Sequence, residues 1–103
     1  MTFILSVVYP AGAKFDMDYY LKTHMPLVQK VWENHGLKSW KIAQYDNANA
    51  PYIVQAWLEW ESKEHSEAGA KSEDGKAVFA DIPNFCDKSP VVLSGPKMAS
   101  ASW

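Results

Sequence analysis

The chain has 103 residues, one domain's worth, and 48% of them are hydrophobic, too many for a disordered segment. Ten basic and twelve acidic side chains leave a net charge of -2, with no basic block to meet a nucleic-acid backbone. No apolar run reaches membrane-spanning length, and the single cysteine, Cys86, has no partner for an internal disulfide; a cytoplasmic protein is expected.

The N-terminus carries no basic region ahead of its apolar stretch, so no signal peptide is expected. Residues 2–9, TFILSVVY, are β-branched and aromatic and predict a first strand. PAGAK (10–14) is a turn. Asp16 is then a good helix N-cap, with Asp18 favourable in the first turn. Along that helix Met17, Tyr20, Leu21, His24, Leu27, Val28, Val31 and Trp32 share one apolar arc. Asp18, Lys22, Gln29, Lys30 and Glu33 lie opposite. His24 sits near the middle of the apolar arc, with Tyr20 one turn earlier. Pro26 follows at once on the polar side, where it either kinks the helix near His24 or opens a second helix. Gly36 is the stop, with His35 at the helix C-terminus.

SWKIAQYD (39–46) and YIVQAWLEW (52–60) predict a second and third strand around the NANAP loop (47–51). Residues 62–80 are helix-prone, with Ser62 as cap and Gly75 as an interruption. Asp81 either braces the corner before Pro83 or orients His24. PVVLSG (90–95) predicts a fourth strand. MASASW (98–103) is either a flexible tail or a segment that docks through Trp103. The order βαββαβ predicts a single α+β domain over 1–103, a ferredoxin-like sandwich. Strands one and three are apolar on both faces, although helices cover only one. A second copy of the chain is the simplest cover for the other, so a homodimer is expected.

Two readings of His24 stand: a core histidine held neutral by a hydrogen bond, or the polar group of an apolar small-molecule pocket. There is no Gly-rich phosphate cradle, nucleophile elbow, Cys-x-x-Cys or His-x-x-x-His pattern. His24, His35, His65 and Cys86 are scattered, so neither metal nor other cofactor is expected. Cys86 reads as a small buried hydrophobe and His65 as solvated.

Residues 10–28, PAGAKFDMDYYLKTHMPLV, with FADIPNF at 79–85, resemble the EthD family, named for ethyl tert-butyl ether degradation. The Tyr-x-x-x-His-x-Pro-Leu pattern of Tyr20, His24, Pro26 and Leu27 is its most specific part. The resemblance implies a dimeric α+β barrel, with two sheets face to face and helices outside. That superfamily includes cofactor-free monooxygenases, muconolactone isomerases, polyketide cyclases and haem-degrading enzymes, with sites between helix and sheet. On this footing His24 is the expected general acid or base of a site for a small apolar or aromatic molecule. Tyr20 would position the ligand or His24 through its hydroxyl, and Trp57, Phe79 and Phe85 would form the apolar wall. The alternatives are a non-catalytic binding protein with the same pocket and an accessory protein of a degradation pathway.

Overall fold

The computed structural model describes residues 2–103. Four strands, β1 (Phe3–Pro10), β2 (Leu37–Gln44), β3 (Tyr52–Trp60) and β4 (Val91–Pro96), form one antiparallel sheet in the order β2-β3-β1-β4. The first crossover holds α1 (Met17–Tyr19) and α2 (Met25–Trp32), joined by a π-helical turn at Tyr20–His24. The second holds α3 (Lys63–Lys71) and α4 (Gly75–Ala80), followed by a 3₁₀ turn at Ile82–Asn84. This is the predicted ferredoxin-like βαββαβ sandwich, and among the described residues no helix is long and apolar enough to cross a membrane.

The strand register sorts the side chains by face. Phe3, Leu5, Val7 and Tyr9 of β1 share the helix-covered face with Val54, Ala56, Leu58 and Trp60 of β3. The other face carries Ile4, Ser6 and Val8, with Trp57 and Leu93 opposite Ser6 and Val91 opposite Val8. That face is mostly apolar, as the sequence predicts, and no helix of this chain covers it.

Two elements depart most from the sequence reading, and the tail is decided between its two options. β2 starts at Leu37 rather than 39, because Gly36 ends the helix in a left-handed conformation and the chain turns at once into the sheet. The step is absorbed by an irregular register between Leu37 and Ser39. The 62–80 segment divides at Ser72, whose backbone is extended, so Gly75 begins α4 rather than marking a flaw inside one helix. The tail beyond Lys97 has no regular structure, and Trp103 docks on nothing within the chain.

Two close approaches fix α3 and α4. A side chain at Gly69 would lie 2.9 Å from the Trp60 ring, and one at Gly75 would run into the Gly69 carbonyl. Trp32 Nε1 donates to that same carbonyl at 3.0 Å, tying the end of α2 to α3. Gly75→Ala is therefore expected to destabilise the fold by about 1–3 kcal/mol through overpacking, although alanine is the better helix former. Denaturant unfolding of the two proteins measures the difference; a more stable alanine variant would disprove the close approach.

Candidate functional site

Asp16 starts the helix as predicted: its carboxylate accepts from the Tyr19 backbone N–H at 3.1 Å. Pro26 then removes a backbone donor further along the crossover. Of the two expected responses, a kink or a second helix opened at its first turn, the second describes the chain. Ahead of it the helix widens by one residue, with the Met25 N–H reaching back to the Tyr20 carbonyl in a π turn. Pro26 falls in the first turn of α2, exposed, where its missing N–H costs little. Tyr20 and His24 bracket the widened turn, and π turns recur at functional sites.

The two rings lie nearly parallel, 14° apart with centroids at 5.4 Å. Phe85 leans on His24 from behind at 4.4 Å. Tyr9, Phe15, Tyr20 and Phe85 meet one another in tilted and edge-to-face contacts, and two of them, Tyr20 and Phe85, hold the histidine. His24 is only 4% exposed.

Asp81 meets His24 across 57 residues of sequence, with Nδ1 2.9 Å from Oδ2. Its other oxygen accepts from the Tyr19 hydroxyl at 2.6 Å and from Asn84 Nδ2 at 3.0 Å. Burial alone would push the Asp81 carboxyl up, but the bonds from Tyr19, Asn84 and His24 together outweigh it and hold the group below its ordinary value. An ionised Asp81 accepts only, so it draws the proton of neutral His24 to Nδ1 and leaves a lone pair on Nε2. Burial is the largest influence on the imidazole and lowers its pKa against the opposing pull of Asp81. Near neutral pH His24 is a neutral base beside a carboxylate.

A cavity of about 300 Å³ lies between the sheet and the helices, within the range of small-molecule pockets. Its deep end is made by Tyr9, Tyr20, His24, Met25 and Val28, all buried. Its outer end is rimmed by Lys63, Glu67, Phe79, Val92 and Ser94, all exposed. His24 Nε2 has no protein partner. Among the described residues Trp60 Nε1 is the only fully enclosed side-chain polar atom lacking one, so Nε2 keeps accessible surface on the cavity.

The structure thus gathers His24, Tyr20 and Phe79 at the cavity, but Tyr20 contributes a stacked ring rather than a hydroxyl bonded to His24. Burial first, then the neighbouring phenol, raises the pKa of Tyr9 far above the ordinary tyrosine range, and burial does the same to Tyr20. Phe79 stands at the mouth, 47% exposed, with its ring against Trp32. Phe85 backs the His24 ring and does not line the cavity. Trp57 does not reach the cavity at all: strand alternation puts it on the uncovered face, opposite Ser6. The sequence reading named Asp81 only as one of two options and missed Tyr19 and Asn84. The signal for Tyr19 was its place beside the N-cap, and for Asn84 its spacing of three from Asp81. Among the described residues no three His, Cys, Asp or Glu side chains gather as metal ligands.

No protein-family model matches the chain, and no curated protein matches it. Solved structures do. An EthD-like protein from Ralstonia eutropha JMP134 is 24% identical, with TM-score 0.84, covering 98% of this chain and 96% of that one. An ethyl tert-butyl ether degradation (EthD) family protein from Bacillus halodurans C-125 is 19% identical, with TM-score 0.72, covering 95% and 99%. A dimeric ferredoxin-like protein of unknown function from Jannaschia sp. CCS1 is 13% identical, with TM-score 0.67, covering 93% and 98%. The chain has the fold of the EthD-like proteins, as its motif residues led us to expect.

The lowered His24 pKa carries a sign for stability. Below the unfolded value of about 6.5, the unfolded chain takes up a proton that the folded ring refuses. Stability should therefore fall as pH drops from about 6.5 to the folded pKa, and His24→Gln should flatten that part of the curve. Asp81, with its lowered pKa, contributes stability present above about 3.9 and lost as pH falls through its folded value. Asp81→Asn removes what holds the His24 pKa up and should lower it further. Imidazole NMR titration reads this directly; an unchanged or raised His24 pKa would refute the pairing.

Proposed function

We propose that the chain is an EthD-like protein that takes a small apolar or aromatic molecule into this cavity and uses His24 as an acid–base group. The observation that carries the reading is a neutral imidazole, fixed by Asp81, opening onto an otherwise apolar cavity of about 300 Å³. His24 Nε2 takes a proton from the ligand, and the imidazolium formed is stabilised by the Asp81 carboxylate. Return of that proton to another atom of the same molecule completes an isomerisation or a cyclisation with no oxidant. Positioned acid–base groups of this kind are worth about 10²–10⁴-fold. Tyr20 and Phe85 hold the imidazole plane, and Phe79 guards the entrance. The same cavity without proton transfer would make the chain a binding or accessory protein, the competing outcome of the test.

Two measurements separate these readings. The neutral dye 1-aminoanthracene should bind saturably in the cavity, and Val92→Trp, placed at the exposed mouth, should block it. In D₂O the protein should speed deuterium entry into the enolisable ketone 2-tetralone, and His24→Gln should lose about 10²–10⁴ of that gain. Dye binding with no acceleration would favour the binding protein; no dye binding would end the cavity reading.

We also propose that a second copy covers the open sheet face, as a homodimer with sheets opposed. Support comes from Ile4, Val8, Trp57, Val91 and Leu93 on that face, and from the description of the Jannaschia protein as dimeric. Sedimentation should give twice the chain mass, and Trp57→Glu should give the monomer mass. A wild-type monomer at micromolar concentration would sink this.

A further inference from the structure

We infer that the floor of the cavity selects a neutral ring bearing a hydroxyl, a phenol or an enol, over an ether, hydrocarbon or carboxylate of similar outline. This rests on the reading of the cavity as a ligand site and adds the class of ligand. At the deep end a ligand meets the His24 imidazole and the hydroxyls of Tyr9 and Tyr20, which can donate as well as accept. His24 Nδ1 is committed to Asp81, and Asp81 is occupied on its other oxygen by Tyr19 and Asn84. What remains of the dyad is Nε2, an acceptor with no protein partner. Ser66, also on the lining, donates its hydroxyl to the Lys63 carbonyl at 2.8 Å.

A neutral acceptor at the end of an apolar cavity asks its ligand for a donor. An ether oxygen can accept from a tyrosine hydroxyl but gives Nε2 no donor, and a hydrocarbon would leave Nε2 dry and unpaired. A carboxylate fares worse. No cationic side chain lies among the buried residues of the deep end, and the Asp81 charge stands directly behind His24. The one lysine on the lining, Lys63, is at the exposed rim and faces Glu67 of its own helix at 3.9 Å. A hydroxyl on a flat ring meets all three conditions: it donates to Nε2, it is uncharged, and its body is apolar.

Calorimetry on the wild-type chain with four naphthalenes tests this near neutral pH. 2-Naphthol should bind about tenfold tighter than 2-methylnaphthalene, whose methyl group matches the hydroxyl in size, as expected for one neutral hydrogen bond. 2-Methoxynaphthalene should bind less tightly than the naphthol, and 2-naphthoate should be weakest. His24→Leu should erase the preference for naphthol while still binding 2-methylnaphthalene. The ¹⁵N resonance of His24 Nε2 should move with naphthol and hold still with the methyl compound, a readout that needs no variant. Equal binding of naphthol and 2-methylnaphthalene, or tightest binding of naphthoate, would overturn hydroxyl selection and leave the cavity reading intact. Failure of all four ligands to bind would overturn both.

Discussion

The 2.9 Å contact between His24 and Asp81 is the constraint around which the helical layer is arranged. An imidazole in the interior must have a partner for its N–H, and in this fold that partner comes from the far crossover. The π turn puts His24 on the inner face of the first crossover, and the 3₁₀ turn after α4 brings Asp81 over it. Tyr19 and Asn84 complete the coordination of the carboxylate from either crossover. A side chain that served packing alone would not need three donors gathered on its partner. The cost of burying the pair is met because every lone pair of Asp81 in use has a donor and the imidazole stays neutral.

The cavity exists because two aromatic groups prop the helices off the sheet at separate places. At one, Trp32 and Trp60 lie at 5.3 Å, and Gly69 lets α3 settle onto the Trp60 ring. At the other, Tyr9, Phe15, Tyr20 and Phe85 pack on one another beside the histidine. Leu5 and Val7, the middle residues of β1 on that face, lie under the gap and are only partly buried, whereas Phe3 and Tyr9 on either side are fully buried. Filled ends and an unfilled middle are what a ligand site requires and what a core optimised for stability alone would close.

Much of this was legible in the residues, for local reasons. The strand order followed from two long connections and one short loop. The inward direction of His24 followed from the 3.6-residue period, and the apolar outer face from strict alternation in β1 and β3. The motif Tyr20, His24, Pro26, Leu27 pointed to the EthD-like fold that the solved structures share. What escaped was non-local or cooperative. Trp57 is the exception: its type suits a pocket wall, but strand alternation, a local rule, already puts it on the face away from the helices. Phe85 was chosen for the wall and instead backs the imidazole, since a side chain's partner across 61 residues of sequence is set by the tertiary fold. Capping rules place Pro26 in the first turn of a helix but do not encode the widening at Tyr20–His24 before it, which depends on where the freed carbonyl can find another donor.

The protonation state joins these threads. His24 is pulled two ways, with burial favouring the neutral ring and Asp81 the cation, and burial is the stronger. Asp81 is also pulled two ways, and there the hydrogen bonds are stronger. The difference arises from position. His24 is enclosed by the rings of Tyr20 and Phe85, which displace water and give its charge no hydrogen bond, while Asp81 sits nearer the surface among three donors. The result is a pair that rests as base and carboxylate rather than as two half-charged groups sharing a proton. A proton arriving from the cavity converts it to an ion pair already in hydrogen-bonding geometry, so little must move when the charge appears. The same enclosure that lowers the His24 pKa makes the imidazolium a ready donor once formed, and an acid–base group that is to give its proton back needs that property.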